Sequence, residues 1–279
     1  MDTFERETLA PESPYLQSSA TCNFTTAYFK DFLNQIVSHR DTQAEKAVKI
    51  FSWVRDNISY ELGLRPDTAA GTLVRRAGSC TNKANLMVAL ARAAQIPAAF
   101  HIMRVKTKDY FGPVCTPRFS AFMSNESLHI YTAFNVEGRW LKADGTDDKT
   151  LCLSSSHLCR QSELVVFDGQ SDAMINLDQN HIVFDDPIRY PHIDNILGKK
   201  MRLPSSIINV MNLYLTFIRL HGKAYNHVTD LEGGFFSWLS STFPVENEDF
   251  NLAEQEILKK INFRMPKQEL RSQNEKVGN

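Results

Sequence analysis

The chain has 279 residues, of which 43% are hydrophobic, so it can bury a full core and is not disordered along most of its length. Its 31 basic residues are balanced by 32 acidic ones, which argues against a nucleic-acid partner because a nucleic-acid surface needs a basic excess. The five cysteines form an odd and sparse set, which is typical of a reducing compartment and not of a disulfide-stabilised secreted protein.

Two further features concern location. Residues 1–7 lack the basic-then-apolar order of a signal peptide. The longest uncharged run lies between Arg202 and Arg219, and its 16 residues include a proline, two serines and two asparagines, so it is too short and too polar to span a bilayer. We therefore expect a cytoplasmic protein without a transmembrane segment.

Helical patterns dominate the first part of the chain. Apolar residues at three- and four-residue spacing predict a helix over residues 25–38. Thr42 is followed three residues later by Glu45, which is the spacing of a capping box and predicts a second helix that ends near Asn57. A short extended segment, a loop and one helical turn are expected next, at residues 58–60, 63–71 and 72–76.

The next predicted helix begins at a cysteine. Its apolar residues recur on one face, which indicates an amphipathic helix: Leu86, Met87, Leu90 and Ala94. Ser79 is a good N-cap because its hydroxyl can accept a hydrogen bond from an unpaired backbone N–H. Cys80 then lies in the first turn, where free N–H groups and the helix dipole favour a thiolate. Such a cysteine is either a nucleophile or a small buried apolar residue.

Antiparallel strands follow this helix. Pro97 ends the helix, and residues 98–105 and 128–134 have the composition of strands. The long loop between them, residues 106–126, is a candidate lid. A turn at residues 135–138 returns the chain as a hairpin partner over residues 139–144. Helices followed by antiparallel strands predict an α+β fold in which the cysteine helix packs on an antiparallel sheet.

The pattern changes at about residue 160. The expected elements are a strand, a buried helix, an apolar loop or short helix and a frayed end, at residues 164–169, 205–221, 233–239 and 266–279. Because no repeat or low-complexity linker separates the halves, we expect a core over residues 1–160 and a mixed C-terminal extension over residues 161–279 that packs on it. The apolar run Ile207–Ile218 predicts a core helix, with a membrane or partner groove as the alternative.

Three residues can supply a nucleophile, a base and an orienting group, namely Cys80, His129 and Asp144. If the hairpin turn is centred between Val136 and Glu137, His129 lies directly opposite Asp144 on the neighbouring strand. If the turn is centred one residue later, the two are diagonal neighbours and remain within reach. Either register predicts a contact between the imidazole and the carboxylate.

Other residues compete for these roles. Asp147 and Asp148 follow closely in the sequence and could orient the histidine instead. Cys152, His157 and Cys159 match no common zinc spacing and have no evident fourth ligand, so we expect neither a metal nor a cofactor.

Taken together, these motifs resemble the transglutaminase-like superfamily of cysteine enzymes. The resemblance extends over roughly residues 45–150 and rests on the order and spacing of residues 47–54, 58–60, 78–80, 94–98, His129 and 140–144. It implies a papain-like core in which Cys80 is the nucleophile, His129 the base and Asp144 its orienting partner.

The resemblance also implies a reaction, which is acyl transfer through an acyl-enzyme. The Cys80 thiolate would attack an amide or thioester carbonyl, and His129 would protonate the leaving group and then activate an amine or water. The expected substrate is a peptide, a protein or a carrier-bound acyl group, with amide formation in small-molecule biosynthesis as one role. The alternatives are a cysteine peptidase or amidohydrolase, and a non-catalytic binding module.

One part of a papain-like site is absent from the sequence. Papain-like peptidases take their second oxyanion donor from a glutamine six residues before the nucleophile, where this chain has Val74. The backbone N–H of Cys80 would supply the first donor, and Trp53 and Tyr60 are candidates for the second. The loop at 106–126 and the apolar segment 233–239 are candidate covers that would exclude water and favour transfer over hydrolysis.

Overall fold

The computed structural model describes residues 13–63, 67–111, 123–194 and 205–242. Its helices are α1 (Ala27–Ile36), α2 (Gln43–Asn57), α3 (Ala69–Arg75), α4 (Cys80–Ala93), α5 (Thr107–Phe111), α6 (Lys149–Ser155), α7 (Ser205–His221) and α8 (Val228–Thr242). Its strands are β1 (Ser59–Tyr60), β2 (Ala77–Gly78), β3 (Ala98–Lys106), β4 (Glu126–Val136), β5 (Arg139–Ala143) and β6 (Ile182–Asp185). Within these residues no helix has both the length and the apolarity needed to cross a bilayer.

The main sheet confirms the predicted α+β class. It has the strand order β5-β4-β3-β6, and each neighbouring pair is antiparallel. Between β4 and β5 the turn residues Glu137 and Gly138 both have positive φ, at 51° and 84°, as in a type I′ turn. Val136 therefore pairs with Arg139, and the turn is centred one residue after Val136–Glu137. The later of the two predicted registers is the one that the protein adopts.

Helix α4 is enclosed on all sides. It packs against α2 and α3 on one side and against β3 and β4 on the other. Every residue from Asn82 to Arg92 is buried, so the prediction of an amphipathic helix with a solvent face is wrong. The charged residues of α4 are paired inside the protein, and the Lys83 ammonium donates a hydrogen bond to the carbonyl of Ile58, 2.7 Å away. Arg92 donates to the carbonyls of Gln17, Ala98 and Pro191. Pairing of this kind makes burial of charged side chains possible.

The two predicted helix starts have different chemistry. At α2 the capping box is present, since Glu45 N–H donates to Thr42 Oγ1 and Thr42 N–H donates to the Glu45 carboxylate. Helix α4 begins at the predicted residue, but the predicted N-cap hydrogen bond is not made. Ser79 occupies the N-cap position, yet its hydroxyl donates to Asn82 Oδ1 at 2.6 Å and accepts no backbone hydrogen bond.

Two expectations about loop and strand positions need correction. Helix α3 begins at Ala69, inside the predicted loop 63–71. Residues 164–168 pair with no strand in the described part of the chain. Instead, Phe167 packs against Phe51 and Phe134, and Arg55 donates to the Val165 carbonyl.

The segment 233–239 belongs to the 15-residue helix α8. Two adjacent glycines lower its helix propensity, but Leu231, Phe235 and Leu239 lie four residues apart and are all buried. Burial of this face therefore overrides the local propensity. The first residues of the predicted loop 106–126 form α5, while residues 112–122 and the predicted frayed end lie outside the described residues.

Helices α7 and α8 build a second hydrophobic cluster. As predicted, α7 is a buried helix, and its Tyr214 and Phe217 pack against Phe235 of α8. Strand β6, which also lies beyond residue 160, extends the main sheet beside β3. The division into a core and an extension at residue 160 stays a prediction.

A largely buried ion pair connects α7 to the rest of the protein. The Arg219 guanidinium donates to both carboxylate oxygens of Asp148, with a shortest distance of 2.6 Å, and to the carbonyl of Tyr60. Asp148 also accepts from the backbone N–H groups of Tyr60 and Leu151. The carboxylate thus joins β1, the first turn of α6 and the end of α7.

We expect the substitution Arg219→Met to lower the free energy of unfolding by about 3 kcal/mol, because it leaves the buried Asp148 carboxylate without its cation. The matched control is Arg75→Met, which removes an exposed ion pair with Asp67 and should change the same free energy by less than about 1 kcal/mol. Urea denaturation followed by circular dichroism measures both. Equal losses in the two variants would show that the buried pair contributes no more than the exposed one.

Candidate active site

The site begins where β2 passes into α4. Gly78 ends β2 and Cys80 is the first residue of α4. A Cβ atom at Gly78 would lie 2.8 Å from Cβ of Asn82, so the first turn of α4 can approach the strand this closely only beside a glycine. Cys80 as a whole residue remains partly exposed.

The histidine and the aspartate come from neighbouring strands of the main sheet. His129 lies on β4, and Asp144 directly follows β5 as its diagonal neighbour. His129 Nε2 donates to Asp144 Oδ2 at 2.6 Å, and both residues are buried. The second carboxylate oxygen accepts from the backbone N–H of Thr146 at 3.2 Å. The imidazole is therefore held in one orientation and one tautomer.

Cys80 completes the arrangement, since its thiol lies beside His129 and each of the two groups shifts the pKa of the other. Asp144 engages Nε2, and Nδ1 is the second ring nitrogen. The hydroxyl of Thr81 lies 3.8 Å from the Cys80 sulfur. The three residues singled out in the sequence thus lie side by side in one row.

The electrostatics of the row favour a charged pair. Desolvation raises the pKa of the Cys80 thiol, but the hydrogen bond and positive charge of His129 outweigh it and the pKa is lowered. Desolvation likewise lowers the pKa of His129, but the charge and hydrogen bond of Asp144 hold it well above its ordinary value. The pKa of Asp144, which burial alone would raise, is lowered by His129. These shifts favour a thiolate and an imidazolium beside an ionised carboxylate.

The neighbouring carboxylates have other surroundings. The Asp148 carboxylate is bound by Arg219 and by backbone N–H groups. Asp147 is partly exposed, and desolvation together with the charge of Asp144 raises its pKa to about 6. Of the three carboxylates, Asp144 is the one whose hydrogen bond to His129 is seen among the described residues.

The candidate metal ligands are also engaged elsewhere. His157 Nε2 contacts the carbonyl of Tyr225 at 2.7 Å, and Cys152 is buried in a setting that raises its thiol pKa. Cys159 Sγ contacts Gln161. In the described ranges, no three histidine, cysteine or acidic side chains are grouped so that they could hold a metal ion.

Sequence reasoning missed one residue of the site. The hydroxyl of Tyr110, on α5, lies 3.3 Å from Nδ1 of His129, and the two rings are 5.2 Å apart. No motif marks this tyrosine, because it follows β3 in a segment that was predicted as a loop. Trp53, one of the two candidate oxyanion donors, instead packs edge-on against Phe32 at 4.7 Å, with the Arg76 guanidinium over its ring.

No curated protein sequence matches the chain. Among solved structures, the chain is similar to "a Putative Cysteine Protease from Cytophaga hutchinsonii", with 23% sequence identity and a TM-score of 0.37. That alignment covers 48% of this chain and spans only 41% of the other protein. The family model of the transglutaminase-like superfamily matches residues 30–145. The matched range includes Cys80, His129 and Asp144.

Proposed function

We propose that this protein is a cysteine-dependent acyl-transfer enzyme with Cys80, His129 and Asp144 as its catalytic triad. The family match supports a cysteine-type enzyme. The single observation that carries the finer proposal is the placement of Cys80 beside a buried His129 that is hydrogen-bonded to Asp144 at 2.6 Å. A binding module that had lost catalysis would have no need to keep a buried imidazole between a thiol and a carboxylate.

The chemistry follows from the resting ion pair. The Cys80 thiolate attacks an amide or thioester carbonyl carbon, and the carbonyl electrons move onto oxygen. His129 gives its Nδ1 proton to the leaving amine or thiol as the tetrahedral intermediate collapses to a thioester on Cys80. The neutral imidazole then takes a proton from the attacking amine or water, and the thiolate leaves. Asp144 stays ionised throughout and stabilises each imidazolium.

The first oxyanion donor comes from the start of α4. The N–H groups of a first helical turn have no acceptor within their own helix, and they lie at the positive end of the helix dipole. The backbone N–H of Cys80 is in this position beside the attacking sulfur. A preorganised donor of this kind is worth roughly 3 kcal/mol of transition-state stabilisation in acyl-transfer enzymes.

The proposed substrates are peptides, proteins or carrier-bound acyl groups, and the proposed acceptor is an amine, with water as the competing acceptor. Hydrolysis alone would make the protein a cysteine peptidase or amidohydrolase of the same fold. A cytoplasmic location belongs to this proposal and rests on the odd, sparse set of cysteines.

A panel of acyl thioesters and peptides, each with and without an added primary amine, tests this function. We expect a covalent acyl adduct on Cys80 in intact mass spectra, and an amide product when the amine is supplied. Cys80→Ala should abolish both, whereas Cys159→Ala, which removes another partly exposed thiol, should leave both unchanged. Free acid as the sole product would favour the hydrolase, and no Cys80 adduct with any substrate would contradict the proposal.

The thiol should react with electrophiles at pH values well below the ordinary cysteine pKa of about 8.5. The direction of the shift follows from the site. His129 lowers the pKa of the Cys80 thiol, so the thiolate persists as the pH falls. In a His129→Ala variant only desolvation remains as the main influence, so the reactive form should appear above the ordinary pKa. Iodoacetamide labelling across pH, with peptide mass spectrometry, measures this shift. Identical profiles for the two proteins would rule out the ion pair.

Two conservative substitutions separate the neighbouring carboxylates. Asp144→Asn should lower kcat/KM for an activated thioester on the order of 10³–10⁴-fold, because the imidazole loses its orienting anion. Asp147→Asn should change it by less than about tenfold, since no hydrogen bond from Asp147 to His129 is seen in the described residues. If the second substitution were the damaging one, Asp147 and not Asp144 would be the orienting residue.

A further inference from the structure

The second oxyanion donor is still unassigned, and this inference rests on the proposed function. Val74, at the position of the papain-like glutamine, lies on α3 with 70% of its surface exposed and has no group to donate. Trp53 is held between Phe32 and Arg76. Tyr60 packs in the second hydrophobic cluster with α7 and α8. Among the described residues, one further polar side chain lies in hydrogen-bond contact with His129.

That side chain is Tyr110. Its hydroxyl oxygen lies 3.3 Å from His129 Nδ1, the ring nitrogen that Asp144 does not engage. Its ring packs against the cluster of Met103 and Val105 and is tilted 42° to the imidazole. Because α5 follows β3 without a break, the hydroxyl is positioned by the main sheet itself.

The protonation states of Tyr110 and His129 determine which of the two donates the hydrogen bond between them. Burial and the nearby negative charges of Asp147 and Asp144 raise the pKa of Tyr110 well above its ordinary value, so it stays a phenol. In the ion pair, His129 Nδ1 carries a proton and can only donate, so the phenol oxygen accepts from it. The phenolic hydrogen is then directed to an acceptor other than His129.

During attack, the negative charge leaves the sulfur and develops on the carbonyl oxygen. We propose that Tyr110 donates its O–H to this oxyanion and is the second oxyanion donor, beside the backbone N–H of Cys80. A hydroxyl donor is neutral and needs no proton transfer in this step. The oxygen it stabilises becomes a carbonyl again when the leaving group departs, so Tyr110 ends each half-reaction in the state in which it began.

Two reactions at the same sulfur separate this role from others. Iodoacetamide alkylates Cys80 by displacement of iodide at a tetrahedral carbon, and no oxyanion forms. p-Nitrophenyl acetate acylates Cys80 through a tetrahedral oxyanion, and its p-nitrophenolate leaves without needing a proton. Tyr110→Phe keeps the ring but removes the hydroxyl. We expect it to slow acylation by about 10²–10³-fold and to leave the alkylation rate within about twofold.

Tyr131→Phe is the matched control. The Tyr131 ring also faces His129, with centroids 6.1 Å apart, but its hydroxyl donates to Asp185 at 2.8 Å. This variant should leave both rates unchanged. The alkylation rate of each variant also reports whether the Cys80–His129 pair is intact, so misfolding is recognised directly.

The other outcomes contradict the assignment. Equal slowing of both reactions by Tyr110→Phe would mean that Tyr110 acts by positioning His129. Faster alkylation with unchanged acylation would mean that the hydroxyl competes with the thiol for Nδ1. A wild-type protein that is alkylated at low pH but never acylated would overturn the acyl-transfer function itself, and the donor role with it.

Discussion

The enclosure of helix α4 is the constraint on which the rest of the structure depends. Helices α2 and α3 cover one side of α4 and strands β3 and β4 cover the other. Its first residue, Cys80, is thereby held at a fixed place beside His129 on β4. The enclosure is possible because the charged residues of α4 are paired with backbone carbonyls: Lys83 with Ile58, and Arg92 with three others. The hydrogen bonds of these two buried cations therefore help to hold the Cys80 thiol in its position.

Within the site, desolvation and pairing act in opposite directions on each group. Burial alone would favour a neutral thiol and a neutral imidazole. The charge of Asp144 reverses this preference at His129, and His129 reverses it at Cys80. Asp147 provides an internal comparison. It lies three residues further on, and the charge of Asp144 acts on it as a repulsion, so its pKa is raised to about 6 while that of Asp144 is lowered. Contact with the imidazolium, and not mere proximity to the site, decides which carboxylate stays ionised.

The segment between β5 and α6 connects this site to the C-terminal helices. Asp144 is hydrogen-bonded to His129, and four residues later Asp148 binds Arg219 of α7. Asp148 also accepts from the N–H of Tyr60 on β1, the strand that pairs with β2 just before Cys80. A disturbance of α7 would thus reach the segment that carries Asp144. The second hydrophobic cluster and the site share this short stretch of backbone.

Features that depend on neighbours in the sequence could be predicted from the sequence. They include the capping box at Thr42, the start of α4 at Cys80, and the strands β3 and β4. The hairpin pattern left two registers for the pairing of His129 with Asp144, one for each possible centre of the turn. Moving the turn by one residue changes which residues of the two strands lie opposite each other. The same motifs, in their order and spacing, carried the resemblance to the transglutaminase-like superfamily.

Only the tertiary structure decided the rest. The positive φ values of Glu137 and Gly138 selected the diagonal register. The burial of α4, the length of α8 and the unpaired course of residues 164–168 all depend on contacts with distant parts of the chain, which no local pattern encodes. Tyr110 is the clearest case. Its sequence neighbours say nothing of its role, and it lies beside His129 because β3 and β4 pair over their full length and bring α5 to the end of the sheet.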